Sequence, residues 1–278
     1  MTDHPFTLMA VHAHPDDEAS TTGGILAKYA AEGIRTVLVT CTNGELGDTP
    51  SAKPGDDHHD TADAVALRLR ELEESCRVLG ITHLELLGYH DSGMMGWEAN
   101  DAPGSFWSMP VEEAAAPLAD LMRRYQPDVV VTYDDFGFYG HPDHIQAHRI
   151  TMAALEATGS TAKVYFPTFR RSSLAAFRER LEQAGIELPD IDESEFGAPD
   201  EAIGATIDCR EHASAKRAAL AAHVSQAENI FFLRIPMEDF TEAFGVEEFV
   251  RARPEGGSSA PETDLFAGLP GRDGTPRP

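Results

Sequence analysis

Cysteine, basic side chains and long apolar runs are scarce in this sequence. Its 278 residues include three cysteines, Cys41, Cys76 and Cys209, which lie far apart and form no C-x-x-C spacing. Scattered thiols in odd number argue against a disulfide framework or a cysteine zinc cluster and favour reduced thiols. No stretch approaches the roughly 18 apolar residues of a membrane span, and the first residues lack the pattern of a secretion signal. We therefore expect a cytoplasmic protein with no membrane partner.

Positive charge is also scarce, because 22 Lys+Arg face 47 Asp+Glu and the formal net charge is −25. Nucleic acids require clustered cations, so a nucleic-acid partner is not expected. The phosphate-binding pattern G-x-G-x-x-G is missing after the first apolar run, where the acids of AHPDDEASTTGG would repel a pyrophosphate. No G-x-S-x-G turn follows a strand, so serine hydrolase chemistry has no support.

What the sequence does contain is an alternation of short β-branched runs and longer helical patterns. Strand followed by helix followed by strand predicts an α/β fold, a Rossmann-like and mostly parallel sheet with helices on both faces. The predicted strands are 7–11, 35–41, 82–88 and 128–133, and the predicted helices are an alanine-rich segment up to 32, then 62–79 and 111–125.

The second half of the chain has a looser pattern. We predict a single domain over residues 1–252, with a Rossmann-like core at about 7–160 and a C-terminal elaboration at about 161–252 that contains a strand at 163–169 and a helix at 209–223. Residues 253–278 are rich in Pro and Gly, which predicts an extended tail. The apolar pair at 265–266 would allow part of this tail to dock on the body.

Two short motifs lie at strand ends: HPDDE at 14–18 follows the first strand, and HPDH at 141–144 follows the fourth. Ligands of such sheets bind beyond the carboxyl ends of the strands, so the two motifs can meet. HPDDE would also suit a helix start, with Pro15 as the first helical residue and the acids facing the helix dipole. That interpretation does not explain His14 in the capping place, where Ser, Thr, Asp or Asn is usual.

The spacing within the motifs indicates a metal centre. His14 and Asp17 are three residues apart, as are His141 and His144, and residues with this spacing share one face of a helix. Two histidines and one aspartate would give a catalytic zinc its three protein ligands and leave one position open. Asp16, next to a ligand but pointing elsewhere, could then deprotonate the bound water. The spacing does not choose between His141 and His144.

Both motifs resemble those of the LmbE-like, or PIG-L, family of zinc deacetylases over about residues 7–150. AAHVSQ (221–226) and PETDLFAGL (261–269) are most similar to the mycothiol deacetylases and the mycothiol S-conjugate amidases. The resemblance implies removal of an acetyl group from a small N-acetylglucosamine glycoside, with cleavage of mycothiol S-conjugates as the alternative. A non-catalytic metal- or nucleotide-binding protein is the alternative of another class. The sequence leaves a homo-oligomer open.

Specific roles follow from the resemblance alone. It implies that His14, Asp17 and His144 bind one Zn²⁺, with Fe²⁺ as the other candidate ion, and that Asp16 is the general base. It also implies that His141 stabilises the oxyanion or protonates the leaving amine. Asp143 would tune the charge of His141, and Tyr139 would contact the reacting carbonyl, although a packed aromatic is its other interpretation.

Three further residues are candidates for substrate binding, and the first of them matches a substrate-binding arginine of the mycothiol enzymes. Arg68 would bind substrate hydroxyls, although a solvated helix face is its other interpretation. Asp91 would hold sugar hydroxyls, although a turn aspartate is its other interpretation. His223 lies on an alanine-rich helix and would ordinarily be a surface histidine, so only the AAHVSQ match indicates a function for it.

Overall fold

The computed structural model describes residues 6–49, 52–56, 59–183, 197–226, 231–254 and 260–272. Its strands are β1 Thr7–His12, β2 Arg35–Thr42, β3 His83–Tyr89, β4 Val129–Val131, β5 Lys163–Thr168, β6 Ile203–Asp208 and β7 Val246–Arg253. Its helices are α1 Asp17–Thr21, α2 Gly23–Ala31, α3 Thr61–Leu79, α4 Val111–Tyr125, the short kinked α5 Gly137–Gly140, α6 Pro142–Thr158, α7 Arg171–Gln183, α8 Ala213–Ala222 and α9 Met237–Phe244.

The seven strands form one sheet in the order β3-β2-β1-β4-β5-β7-β6. Strands β1 to β5 pair in parallel, and β7 runs antiparallel between β5 and β6. The predicted α/β fold with a mostly parallel sheet is confirmed. The strand order reverses at β1, which lies between β2 and β4, so the loops after β1 and β4 flank the switch point where such sheets bind ligands.

Both faces of the sheet are covered, as a parallel sheet requires. Leu8 and Ala10 of β1 pack in one core layer with side chains of α2, α3, α8 and α9. Met9 and Val11 point to the opposite face and pack with α4 and α6. Among the described residues, we find no helix with the length and apolar character needed to cross a bilayer.

The alanine-rich segment predicted as one helix is two helices that meet at Thr22. The backbone of Thr22 leaves the helical region at φ −135°, and its hydroxyl donates to the carbonyl oxygen of Glu18 at 3.0 Å. The first helix begins at Asp17, with Asp16 as its N-cap. The prediction that Pro15 is the first helical residue is therefore wrong.

Part of the C-terminal segment docks on the body, which is the alternative that the apolar pair Leu265 and Phe266 allowed. Both side chains are fully buried. The ring of Phe266 packs edge-on against Phe6 at 5.4 Å and Tyr29 at 5.0 Å between ring centroids. The Leu265 N–H donates to the Tyr29 hydroxyl at 2.8 Å. Residues 260–272 thus contribute to the core.

Replacing Phe266 with alanine should lower the free energy of unfolding by about 3–5 kcal/mol, because it removes a fully buried ring and leaves a cavity. Denaturant titration measures the change. Leu86→Ala is the matched control, since that side chain is 44% exposed and its truncation should change stability by no more than about 0.5 kcal/mol. Equal effects of the two variants would mean that the segment is not part of the stable core.

Candidate active site

Asp17, the first residue of α1, turns its carboxylate back onto the loop that precedes it. Its Oδ2 accepts the backbone N–H of His14 at 2.8 Å and the hydroxyl of Tyr133 at 2.7 Å. The same oxygen lies 3.3 Å from Nδ1 of His14. Tyr133 follows β4, and sequence reasoning assigned it no role. Its position at a strand end was the available signal.

His144 approaches the same oxygen from α6. Its Nδ1 lies 3.2 Å from the carbonyl oxygen of Gly137, a contact that requires the proton on Nδ1. Its Nε2 is therefore the lone-pair nitrogen. This atom is buried without a hydrogen-bond partner among the described residues and lies 3.5 Å from Oδ2 of Asp17.

These donor atoms fit a divalent metal. Nε2 of His14 lies 3.2 Å from Oδ2 of Asp143, so in the neutral ring, the form that binds a metal, Nε2 carries the proton and Nδ1 has its lone pair toward Asp17. Two lone-pair nitrogens thus lie 3.3 and 3.5 Å from one carboxylate oxygen. In a tetrahedral zinc site with bonds of about 2.0–2.1 Å, neighbouring ligand atoms are about 3.3 Å apart.

The donors also allow other groupings. One set comprises His14, His141 and His144 and another comprises His14, Asp91 and Asp143, and within each the ligand atoms lie within 4.8 Å of one another. Both sets share His14 and omit Asp17. We favour Asp17 because its oxygen contacts both lone-pair nitrogens, whereas Nδ1 of His141 already accepts the Asp143 N–H at 3.2 Å.

The surrounding carboxylates favour a positive charge between His14, Asp17 and His144. Burial lowers the pKa of His14, but Asp91, Asp143 and Asp17 outweigh burial and hold this pKa well above its usual value. Burial raises the pKa of Asp17, but His144 and His14 outweigh it and hold this pKa well below its usual value. A cation between these groups would therefore be stabilised.

Asp16 points away from the two histidines toward Arg68, whose guanidinium nitrogen lies 3.4 Å from Asp16 Oδ1. The Asp16 side chain is 26% exposed. Burial, opposed by Arg68 and reinforced by Asp17, raises the pKa of Asp16 to about 6. Its backbone has φ 119° and ψ −24°, a conformation that costs a non-glycine residue about 1–3 kcal/mol and occurs mainly at functional sites.

His141 is the N-cap of α6. The second motif therefore lies at the start of a helix. Because its Nδ1 accepts the backbone N–H of Asp143, the neutral ring carries its proton on Nε2. Burial and the neighbouring His14 and His144 lower the pKa of His141 to about 2. A neutral His141 can therefore donate one hydrogen bond from Nε2.

Asp143 contacts His14, and Tyr139 lies beside His144. The Asp143 carboxylate is fully buried. Burial lowers the pKa of His141, and the charge of Asp143 opposes this lowering. Tyr139 is 48% exposed, with its ring centroid 5.0 Å from that of His144. The alternative of a packed aromatic does not describe it.

The residues assigned to substrate binding lie in three different environments. Arg68 is buried and donates to the carbonyl oxygens of Gly44 at 2.8 Å and Pro15 at 2.5 Å, so a solvated helix face is wrong. Asp91 accepts the Gly93 N–H at 2.8 Å, as a turn aspartate does, and also lies 3.8 Å from Nε2 of His14.

His223 differs most from its prediction. Its side chain is fully buried, and Nε2 lies 2.7 Å from Oε1 of Glu18. The interpretation as a surface histidine is therefore wrong, and the substrate-binding role stays a prediction. Glu18 itself was counted only as an acid of the first helical turn, and Ser75, which also contacts it, was not considered.

Histidines and carboxylates converge at the switch point of a Rossmann-like sheet, beside an acid with a raised pKa. Together these features define a metal-dependent hydrolase. Residues 9–155 match the family model PIG-L, GlcNAc-PI de-N-acetylase. The chain belongs to this family of de-N-acetylases. The amide hydrolase predicted from the two motifs is thereby confirmed as a class.

Curated relatives match the chain over nearly its whole length. The 1D-myo-inositol 2-acetamido-2-deoxy-α-D-glucopyranoside deacetylase of Thermomonospora curvata is 40% identical over 98% of this chain and 99% of its own. The protein of the same name from Acidothermus cellulolyticus is 42% identical over 95% of each chain. Among solved structures, N,N'-diacetylchitobiose deacetylase from Pyrococcus horikoshii superposes with a TM-score of 0.56 at 21% identity, covering 88% of this chain and 83% of its own, which supports the fold.

Proposed function

We propose that this protein removes the acetyl group from 1D-myo-inositol 2-acetamido-2-deoxy-α-D-glucopyranoside and releases acetate and the free amine. The full-length match to two deacetylases of that name carries the proposal. The His and Asp cluster supports it, because His14, Asp17 and His144 lie buried at the switch point and Asp16 lies next to them in the sequence, partly exposed.

We assign His14, Asp17 and His144 as the metal ligands and Zn²⁺ as the ion, with Fe²⁺ as the alternative. A metal held there would supply a Lewis acid that polarises the amide carbonyl and lowers the pKa of water. Tyr133 donates to Asp17, and Asp143 accepts from Nε2 of His14. These two contacts orient the ligands so that their lone pairs face one another.

The remaining chemistry falls to Asp16 and His141. Asp16 takes the proton from the attacking water and passes it to the nitrogen of the departing amine. His141 donates the hydrogen of Nε2 to the carbonyl oxygen as negative charge develops there. Tyr139, half-exposed beside His144, contacts the same carbonyl, and Arg68 and Asp91 lie close enough to this cluster to orient the sugar hydroxyls.

An amine-release assay across four substrates tests the proposal. We expect the inositol glycoside to have a kcat/KM at least roughly tenfold above those of N-acetylglucosamine and N,N'-diacetylchitobiose, because the aglycone adds binding energy that the smaller sugar lacks. A bimane conjugate of mycothiol is the fourth substrate. If that conjugate gives the highest kcat/KM, the protein is an S-conjugate amidase and the proposed deacetylation is wrong.

Several expectations from the sequence stay predictions. A cytoplasmic location agrees with three buried and unpaired cysteines. The single domain over residues 1–252 and a homo-oligomer are further proposals, which limited proteolysis and light scattering would test.

A further inference from the structure

The backbone of Asp16 is held on its N–H side by Glu18. The Asp16 N–H donates to Oε2 of Glu18 at 2.9 Å. Oε1 of Glu18 accepts the hydroxyl of Ser75 at 2.5 Å and Nε2–H of His223 at 2.7 Å. Glu18, Ser75 and His223 are each fully buried. All three partners of Glu18 are donors, so only a carboxylate satisfies them at once.

Arg68 holds the same peptide group from its carbonyl side. Its guanidinium donates to the carbonyl oxygen of Pro15 at 2.5 Å and lies 3.4 Å from Oδ1 of Asp16. The peptide group between Pro15 and Asp16 is therefore fixed from both edges, at its N–H by Glu18 and at its carbonyl oxygen by Arg68. Arg68 and Ser75 belong to α3, and His223 is the C-cap of α8.

This arrangement explains how Asp16 keeps a conformation that a non-glycine residue rarely adopts. A backbone at φ 119° persists only where its surroundings over-determine it. The turn at Asp16 is also what sends its carboxylate toward Arg68 while the next carboxylate, that of Asp17, faces His14 and His144. Adjacent residues can then perform separate roles, one as base and one as ligand.

We propose that Glu18, Ser75 and His223 form a positioning cluster that holds the general base Asp16 in its left-handed backbone conformation, and that His223 acts through Glu18 without touching substrate. The proposal rests on the proposed hydrolysis, in which Asp16 is the base. His223 is thus a positioning residue supplied by the C-terminal half of the chain.

Two substitutions of His223 test this role. His223→Leu removes the donor to Glu18, and we expect kcat to fall roughly 10–100-fold while KM and metal content stay within about twofold, because a small displacement of a catalytic group has this effect on rate. His223→Gln retains an N–H donor and should recover kcat to within about threefold of the wild type. Hydrogen exchange on metal-free protein should show faster deuterium uptake in peptides covering residues 13–20 for His223→Leu only.

Lys216→Met is the matched control for a general loss of stability. Lys216 lies on the same helix as His223 and forms an equally buried ion pair with Glu247 at 2.7 Å, away from Asp16. The Lys216→Met variant should lower Tm at least as much as His223→Leu does. Its kcat and its hydrogen exchange at residues 13–20 should equal those of the wild type.

Three results would overturn the proposal. These are a rise in KM at constant kcat for His223→Leu, loss of metal from that variant, or a fall in kcat for Lys216→Met of the same size. A wild-type protein inactive on all four acetamide substrates would instead contradict the proposed function. Even with an inactive wild-type protein, hydrogen exchange at residues 13–20 would test the positioning cluster. Unchanged exchange in His223→Leu would refute it, and faster exchange would support it.

Discussion

Replacing Asp16 with asparagine is expected to lower kcat by roughly 10²–10⁴ while the protein stays folded and keeps its metal, because the substitution removes the proton acceptor and spares the ligands. In the structure the Asp16 carboxylate contacts Arg68, whereas Asp17 contacts the two histidines. Steady-state kinetics together with metal analysis of the purified variant measures both parts of this expectation.

The pH dependence of wild-type activity also tests Asp16 as the proton acceptor. A base must be deprotonated to act, so activity is present above its pKa and is lost as the pH falls through it. Since burial raises the pKa of Asp16, this loss should begin at a higher pH than for an ordinary aspartate. The acidic limb reports Asp16 and the metal-activated water as a coupled pair.

A nearby aspartate provides the control for Asp16. Asp135 is exposed in the loop after β4, and Asp135→Asn should leave kcat within about twofold. If Asp16→Asn also retained near-normal turnover, Asp16 would be only a helix N-cap. If Asp16→Asn lost its metal, the roles assigned to Asp16 and Asp17 would have to be exchanged.

His144→Ala is expected to abolish metal binding, whereas His141→Ala should keep the metal and lower kcat by about 10²–10³, the usual effect of removing one oxyanion donor. The reason is that Nε2 of His144 is a buried lone pair with no hydrogen-bond partner in the described part of the chain, while Nδ1 of His141 is occupied by a backbone N–H. Inductively coupled plasma mass spectrometry of protein purified without chelator, followed by zinc titration, gives the metal content.

His148 offers a matched control on the same helix. It lies one turn beyond His144 and its Nδ1 contacts the carbonyl oxygen of Tyr133 at 2.9 Å. His148→Ala should bind metal and turn over substrate at close to wild-type levels. Equal metal loss in the His141 and His144 variants would favour the grouping of His14, His141 and His144 and remove Asp17 from the proposed ligand set.

The parallel part of the fold could be predicted because β1, β2 and β4 are apolar runs bounded by helical patterns. The antiparallel strand β7 could not, since Val246–Arg253 carries charged residues along much of its length and pairs with β5 and β6, which lie far from it in the sequence. The break at Thr22 was also hidden, because alanine-rich sequence on both sides favours helix and the break depends on a side-chain hydrogen bond.

The convergence of the two motifs was predictable, but part of the reasoning was not correct. His14 and Asp17 meet because Asp17 folds back on the loop, whereas a shared helix face was expected. Arg68 and Ser75 lie on a buried face of α3 whose polar residues suggest exposure. Only contacts between elements distant in sequence, such as His223 with Glu18, reveal what those side chains do.

The division of the site between the two halves of the chain has a consequence during translation. His14, Asp17 and His144 all precede the end of α6, so a nascent chain of that length already carries the proposed metal ligands. It lacks His223, and it lacks Glu247, which accepts the N–H groups of Gly24 and Ile25 at 2.8 and 2.9 Å. Because N-terminal parts emerge from the ribosome first, the proposed metal ligands are synthesised before the residue that is proposed to position Asp16.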